Sequence, residues 1–340
     1  MPTSAKWWID GDESAAEMLA RVSAERSVSL LPPPLHRLPL RVGNVVELVG
    51  PSPSAKTLIL IQAAINTILP SEWNGVHYGG LERSVMFIDL DCRFDILCLS
   101  EMLKHRIMNL NGSMNKMNQD QEDIGMQNFD TRRKSNIAYD EELYTLCMRR
   151  FLYVRCYDSF EFLSTLKTMH CHLQKEKEVK HSSIHLLMID SIGAFYWVDR
   201  ATSFLPSGST NRKSLSLQSV FETVVQEIRK LVQVHPMLVI ATKTTTFGDR
   251  NFANEAHRKY LPDTLDFRNA ATNTRQLPYQ ENMPSVWQSF VTHRVHVRPS
   301  DHVTIVDRQN HSLYLSEWLL PSLSYLDKFI VQDGGVFLHN

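Results

Sequence analysis

The stretch Val45-Val46-Glu47-Leu48-Val49-Gly50-Pro51-Ser52-Pro53-Ser54-Ala55-Lys56-Thr57 decides how the rest of the chain is read. A mostly apolar run enters a turn rich in proline and serine. Lys56-Thr57 then opens a second apolar run, Leu58-Ile59-Leu60-Ile61. The order is strand, loop, helix. The phosphate-binding pattern G-x-x-x-x-G-K-[ST] is matched at Gly50, Lys56 and Thr57 and departs at Ala55. In that pattern backbone N–H groups and a helix N-terminus cradle phosphates, the lysine reaches the outer phosphates, and the hydroxyl ligates Mg²⁺. Gly50, Pro51, Ser52, Pro53, Ser54, Ala55, Lys56 and Thr57 are therefore expected to face ATP, with Thr57 on the metal. The competing reading is a chance Lys-Thr at a helix start; the strand before it and the helix after it favour the motif. Pro53 has no N–H to donate. Ala55 adds a methyl where glycine allows the closest backbone approach. Such a loop is better suited to holding ATP than to splitting it quickly.

Further apolar runs follow at 85–89, 151–154, 184–190 and 237–241, and helical patterns separate them at 57–68, 93–107, 159–175 and 215–233. Near-continuous apolar strands alternating with amphipathic helices predict a parallel sheet covered on both faces, an α/β fold. Short strand patterns near 294–298, 303–307, 312–316, 329–331 and 336–338 predict an antiparallel C-terminal extension. Residues 109–138, rich in Asn, Met, Gln and Asp, lack periodicity and read as a solvated, disordered insertion. Residues 244–284 form a long loop, either functional or disordered.

Residues 1–40 read as an N-terminal arm and linker, and 41–340 as one domain. The arm contains a helix pattern at 13–23. Trp7 and Trp8 read as a hook into the core or a partner anchor. Pro32-Pro33-Pro34 predicts an extended spacer. With 340 residues, 43% of them hydrophobic, the chain can bury a sizeable core. A net charge of -1 gives no global field for nucleic acid, so any such contact must be local. The 5 cysteines show no zinc spacing, and Cys92, Cys98 and Cys156 lie in or beside apolar runs, where buried, reduced thiols are expected. A signal-peptide core and a membrane-length apolar run are both missing from the pattern, so a soluble intracellular protein is expected.

Two sets of acids stand at strand ends. Asp190 closes the run 184–190, where an aspartate beside a P-loop threonine holds the Mg²⁺ shell. Asp89 and Asp91 end the run 85–89 and either position a water or metal, or cap a turn.

Strand and P-loop, then Phe87-Ile88-Asp89-Leu90-Asp91, then Leu187-Met188-Ile189-Asp190-Ser191-Ile192-Gly193-Ala194-Phe195-Tyr196, then Leu238-Val239-Ile240-Ala241-Thr242 resembles the ATPase core of RecA-type recombinases. The segment 191–200, Trp287 followed by His293-Arg294, and Asp333-Gly334-Gly335-Val336-Phe337 resemble, more narrowly, the eukaryotic recombinase paralogues. The resemblance covers about 14–107 and 143–338. It implies a RecA-like P-loop NTPase core with ATP and Mg²⁺ as cofactors, and Asp190 as the acid of the second nucleotide motif. It places Asp91 where active members carry a water-activating glutamate one methylene longer. The glutamine that senses the γ-phosphate would fall on Thr242, Lys243 or Thr244, and none of these is glutamine.

The resemblance also implies a nuclear subunit assisting homologous recombination repair of DNA. Its direct partner would be the D-type recombinase paralogue, with the B and C paralogues in a hetero-oligomer and the strand-exchange recombinase acting downstream. Contact with single-stranded or branched DNA would come from loops near 200–213 (Arg200, Arg212, Lys213) and 244–284 (Arg250, Arg258, Lys259). Arg132-Arg133-Lys134 is a short basic cluster compatible with nuclear import.

Overall fold

The computed structural model describes residues 31–119, 140–180, 184–202, 216–245, 282–306 and 309–339. In chain order the elements are β1 (Val45–Gly50), α1 (Lys56–Ile68), a small hairpin of β2 (Glu72–Trp73) and β3 (Val76–His77), β4 (Ser84–Asp89), α2 (Ile96–Gln119), α3 (Glu141–Arg149), β5 (Phe151–Arg155), α4 (Ser159–Lys180), β6 (Ile184–Asp190), α5 (Tyr196–Thr202), α6 (Leu217–Val234), β7 (Leu238–Thr244), α7 (Ser285–Phe290), β8 (His293–Val306), β9 (Gln309–Leu320), β10 (Ser322–Gln332) and β11 (Gly335–Leu338).

Among the described residues, nine strands form one sheet in the order β11-β10-β9-β8-β1-β7-β6-β4-β5. The strands β1, β7, β6, β4 and β5 pair in parallel, and β8 to β11 pair antiparallel with one another. All six residues of β1 are buried, as expected of a strand covered on both faces. One face carries α1, α2 and α3 over Val46, Leu48, Phe87 and Ile240. The other carries α4, α6 and α7 over Val45, Ile88, Leu187 and Val239. The mostly parallel sheet with antiparallel C-terminal strands is the architecture expected from the sequence.

The structure differs from the sequence reading in several places. The first C-terminal strand is not antiparallel on both sides: β8 pairs in parallel with β1, Val46 opposite His293, and only its outer edge is antiparallel. The expected short strands 294–298 and 303–307 are one strand, because the register shift between Pro299 and Val303 bends the ladder without ending it. Residues 109–119 are not a loop but the last turns of α2. Residues 31–40 are not an extended spacer either. A 3-10 turn at Leu35–Arg37 follows the prolines, and Leu31, Leu35 and Leu40 are buried in the core, with Arg37 bridging to Asp327 of β10. The 1–30 segment, with Trp7, Trp8 and the 13–23 helix, lies outside the described residues, as do Arg132, Arg133 and Lys134.

The helix α3 has a clear local cause. Asp140 caps it by accepting from the Leu143 N–H, and Glu141 and Glu142 place negative charge on its first turn. Of the three cysteines expected to be buried, Cys156 is, Cys98 is half-buried and Cys92 is exposed, since the chain turns out of β4 at that point.

Glu47 is fully buried in the middle of β1. Its carboxylate accepts from Trp287 Nε1 at 2.8 Å and from Arg294 Nε at 2.5 Å. This one side chain joins β1 to α7 and β8. It gives Trp287 and Arg294 of the segment 287–294 a common partner.

Candidate nucleotide-binding site

Parallel strands deliver their C-terminal ends to one edge of the sheet, and ligands bind in the crevice there. The register aligns Gly50 with Thr244 across β1 and β7, and Asp89 with Asp190 across β4 and β6. A cleft of ≈ 200 Å³ lies at this edge, lined by Ser52 to Leu58, Asp91, Arg93, Asp190 and Thr244. Lys56 and Thr57 of the loop and Asp190, 133 positions beyond Thr57, are brought together.

Gly50 starts the loop for a packing reason. A Cβ built there would sit 1.8 Å from the Val297 carbonyl oxygen of β8. Ala55, the departure from the motif, has φ 62 and ψ 12, the left-handed conformation, immediately before α1. The motif's glycine is therefore a backbone requirement here, and alanine meets it with a steric cost of about 1–2 kcal/mol.

Lys56 is buried and donates from Nζ to Gly50 O (2.9 Å), Pro51 O (2.8 Å) and Ser54 Oγ (2.9 Å). All three ammonium donors are turned onto the loop itself. Burial lowers its pKa to about 8, opposed by the charges of Asp190 and Asp91. Asp190, 3% exposed, accepts from Thr57 Oγ1 at 2.6 Å and, on its other oxygen, from Thr242 Oγ1. Burial pushes its pKa up against these hydroxyl donors and Lys56. Burial and then the nearby Asp190 raise Asp91 to about 6, against the pull of Arg93. The Oδ1 atom of Asp91 is buried without a hydrogen bond.

The residues fit a phosphate chain and a hard cation. The buried Lys56 ammonium suits a phosphate. The Thr57 hydroxyl at the helix start and the carboxylates of Asp190 and Asp91, both pushed up by burial and Asp91 also by the charge of Asp190, make an oxygen donor set that a divalent cation would neutralise. Thr57, Asp190 and the orphaned Asp91 oxygen would hold it. Mg²⁺, when bound, supplies charge stabilisation to a phosphoryl group. Drug-sized ligands occupy ≈ 300–1,000 Å³, so the cleft matches a triphosphate tail rather than a whole nucleotide.

Asp89 does not join Asp91. It is fully buried and is held from β5: Tyr153 donates its hydroxyl at 2.9 Å, and Arg155 lies 3.6 Å away. The Phe94 N–H lies 3.4 Å from the same oxygen, as the turn-capping alternative has it, while Asp89 Oδ1, like that of Asp91, is buried without a hydrogen bond. At the end of β7 it is Thr244 that lines the cleft; Thr242 holds Asp190, and Lys243 is buried.

Arg93 was not legible as a site residue. It donates from Nη1 to Ser52 Oγ at 3.0 Å, and its Nε lies 3.9 Å from Asp91 Oδ2. Arg200 lies on α5 away from the cleft, donating to Tyr196 OH and sitting 5.8 Å from the Trp197 ring centroid. Arg212, Lys213, Arg250, Arg258 and Lys259 lie outside the described residues, as do the parts of the two loops that contain them.

No family model matches the chain. It is 52% identical over 332 residues to the DNA repair protein XRCC2 homolog of Arabidopsis thaliana, covering 97% of this chain and 89% of that protein. The chain belongs to the XRCC2 family of DNA repair proteins. The mouse DNA repair protein XRCC2 is 26% identical over 335 residues, covering 95% of this chain and 96% of that one. An XRCC2 family member has a role in DNA repair, and the sheet described above is the RecA-like fold of this family. The likeness to the Arabidopsis protein spans nearly the whole chain.

Proposed function

We propose that the chain is the ATP-holding assembly subunit of a recombinase-paralogue complex in homologous recombination repair, with weak or dispensable hydrolysis. The observation that supports this most is Lys56, whose three donors are satisfied by the loop itself in a cleft sized for a phosphate chain. A nucleotide there would be held by Lys56, Thr57, Asp190 and Mg²⁺. A second groove of ≈ 530 Å³ borders the cleft at Leu58 and is lined by Cys98, Met102, His105 and Val331. It offers room for a nucleoside beyond the phosphates.

Three features argue for slow turnover: Pro53 without an N–H, Asp91 drawn toward Arg93, and a threonine where a glutamine would sense the γ-phosphate. The outer edge of β5, the last strand of the sheet, lies beside a groove of ≈ 550 Å³ lined by Met86, Leu152, Val154 and Met169. An open strand over an apolar groove suits an extended segment of a partner adding to the sheet. The D-type paralogue is the partner assigned to it, with the B and C paralogues in the same nuclear assembly. DNA contact is assigned to Arg200, Arg212, Lys213, Arg250, Arg258 and Lys259, with single-stranded or branched DNA as the ligand.

Repair should survive Lys56→Ala, scored as cell survival after double-strand breaks in a strain carrying the variant. Loss equal to a null allele would refute dispensable hydrolysis and favour a second reading, an active DNA-dependent ATPase. Steady-state hydrolysis by the purified complex with and without single-stranded DNA separates the two. Neutralising Arg250, Arg258 and Lys259 should lower DNA affinity and flatten its salt dependence.

A further inference from the structure

The loop lacks one phosphate donor, and an arginine from another element stands beside the gap. Pro53 has no N–H. The residue before it, Ser52, receives a hydrogen bond from Arg93 Nη1 at 3.0 Å. Arg93 follows β4 by four positions, beyond a turn in which Cys92 takes the left-handed conformation at φ 58. A non-glycine residue held there stores local strain, which concentrates at functional sites. On either side of that turn, Asp91 and Arg93 both line the cleft with Lys56, Thr57 and Asp190.

A guanidinium presents five N–H donors in a planar fork suited to phosphate oxygens. One of these is spent on Ser52, and its Nε lies 3.9 Å from Asp91 Oδ2, a long contact for an ion pair. The side chain is 64% exposed, so it can turn without disturbing the core. Lys56, by contrast, is buried and bonded to the loop.

We propose that Arg93 is a phosphate ligand of the cleft, exchanging its contact with Asp91 for the outer phosphates of a nucleoside triphosphate and replacing the amide that Pro53 removes. The inference rests on the cleft being a nucleotide site. Its consequence is that recognition begins with the exposed arginine and leaves Asp91 released toward the cation when the phosphates are seated.

The test is calorimetric titration of the full chain with Mg-ATP, magnesium tripolyphosphate and AMP, for wild type, Arg93→Gln and Arg93→Lys. Losing charge-assisted bonds to phosphate should weaken Mg-ATP and tripolyphosphate binding about tenfold or more in Arg93→Gln. Arg93→Lys should recover part of that loss, since it keeps the charge but not the fork. AMP binding should be unchanged, and so should the melting temperature. Wild-type affinity for both polyphosphates in Arg93→Gln would overturn the role of Arg93 and leave the nucleotide site standing. An equal loss for AMP would assign Arg93 a structural role instead. Failure of the wild-type chain to bind either polyphosphate would overturn both readings.

Discussion

Strand β1 carries one cluster of buried charge at its middle and runs into another at its end, and the two are built differently. Around Glu47 the charges close on themselves. One carboxylate meets one guanidinium at 2.5 Å and an indole N–H at 2.8 Å, among three elements that pack tightly. Around Gly50–Thr57 they do not close. Burial pushes up the pKa of both Asp190 and Asp91, the charge of Asp190 adds to the rise at Asp91, the Lys56 ammonium is lowered to about 8, and a buried oxygen of Asp91 lacks a hydrogen bond. The first cluster is balanced in charge as the chain folds, one carboxylate to one guanidinium. The second is complete only when something neutralises it. Buried charge by itself is therefore not a sign of function; the imbalance within the cluster is.

The largest effect should come from breaking the closed cluster. Arg294→Leu leaves Glu47 as an uncompensated buried charge and should cost about 3–5 kcal/mol, read as a lower urea midpoint. Adding Glu47→Leu should restore part of that loss, because it removes the unpaired buried charge while leaving the Trp287 indole N–H without its acceptor. If the double variant were as unstable as the single one, the cluster would not be self-contained. Next comes Trp287→Phe, which keeps the packing and removes one donor. It should cost about 1–3 kcal/mol for the Glu47 oxygen left without it.

The open cluster should respond with the opposite sign. The pKa of Asp91 is raised to about 6 in the fold from 3.8. The protonated form is thus favoured by folding. Its contribution is present below pH 3.8 and is lost as pH rises through about 6. Asp91→Asn should stabilise the chain at pH 7.5 by about 1–2 kcal/mol and have little effect near pH 3.5. Thermal melts at both pH values check this. Added Mg²⁺ should narrow the difference at pH 7.5 if the carboxylate belongs to a cation site. The smallest effect should be Ala55→Gly, a gain of about 1 kcal/mol from relief of the left-handed backbone, seen as a higher melting temperature.

The loop and the parallel strands were legible because a strand, a turn and a helix leave marks of different period over adjacent residues. The direction of β8 was not. A strand's apolar pattern reads the same whether its neighbour runs with it or against it, and β8 does both. Residues 109–119 looked like loop because Asn, Met and Gln give no apolar stripe, although nothing in them forbids a helix. The signal for α3 was present in Asp140-Glu141-Glu142, an N-cap and an acidic first turn. Arg93 left no signal: a single arginine after a strand belongs to no spacing pattern, and only folding sets it beside Ser52. The motif's glycine at position 50 is expected from the pattern to face the nucleotide. Its first requirement is the carbonyl of Val297.

That contact has a consequence for the order of events during synthesis. Strand β1 lies between β7 and β8, with Val45 opposite Val239 and Val46 opposite His293. When β1 leaves the ribosome, both of its neighbours are still to be made. At about 5–20 residues per second, β8 follows roughly ten seconds to a minute later. Until β7 is made the phosphate loop hangs from a strand with two bare edges, and until β8 is made one edge stays bare beside six positions that the fold buries. A chain broken between residues 245 and 292 would keep every letter of the nucleotide motif and still present β1 unpaired on one side. Such a fragment is a substrate for chaperones and proteases before it is a partner for anything else.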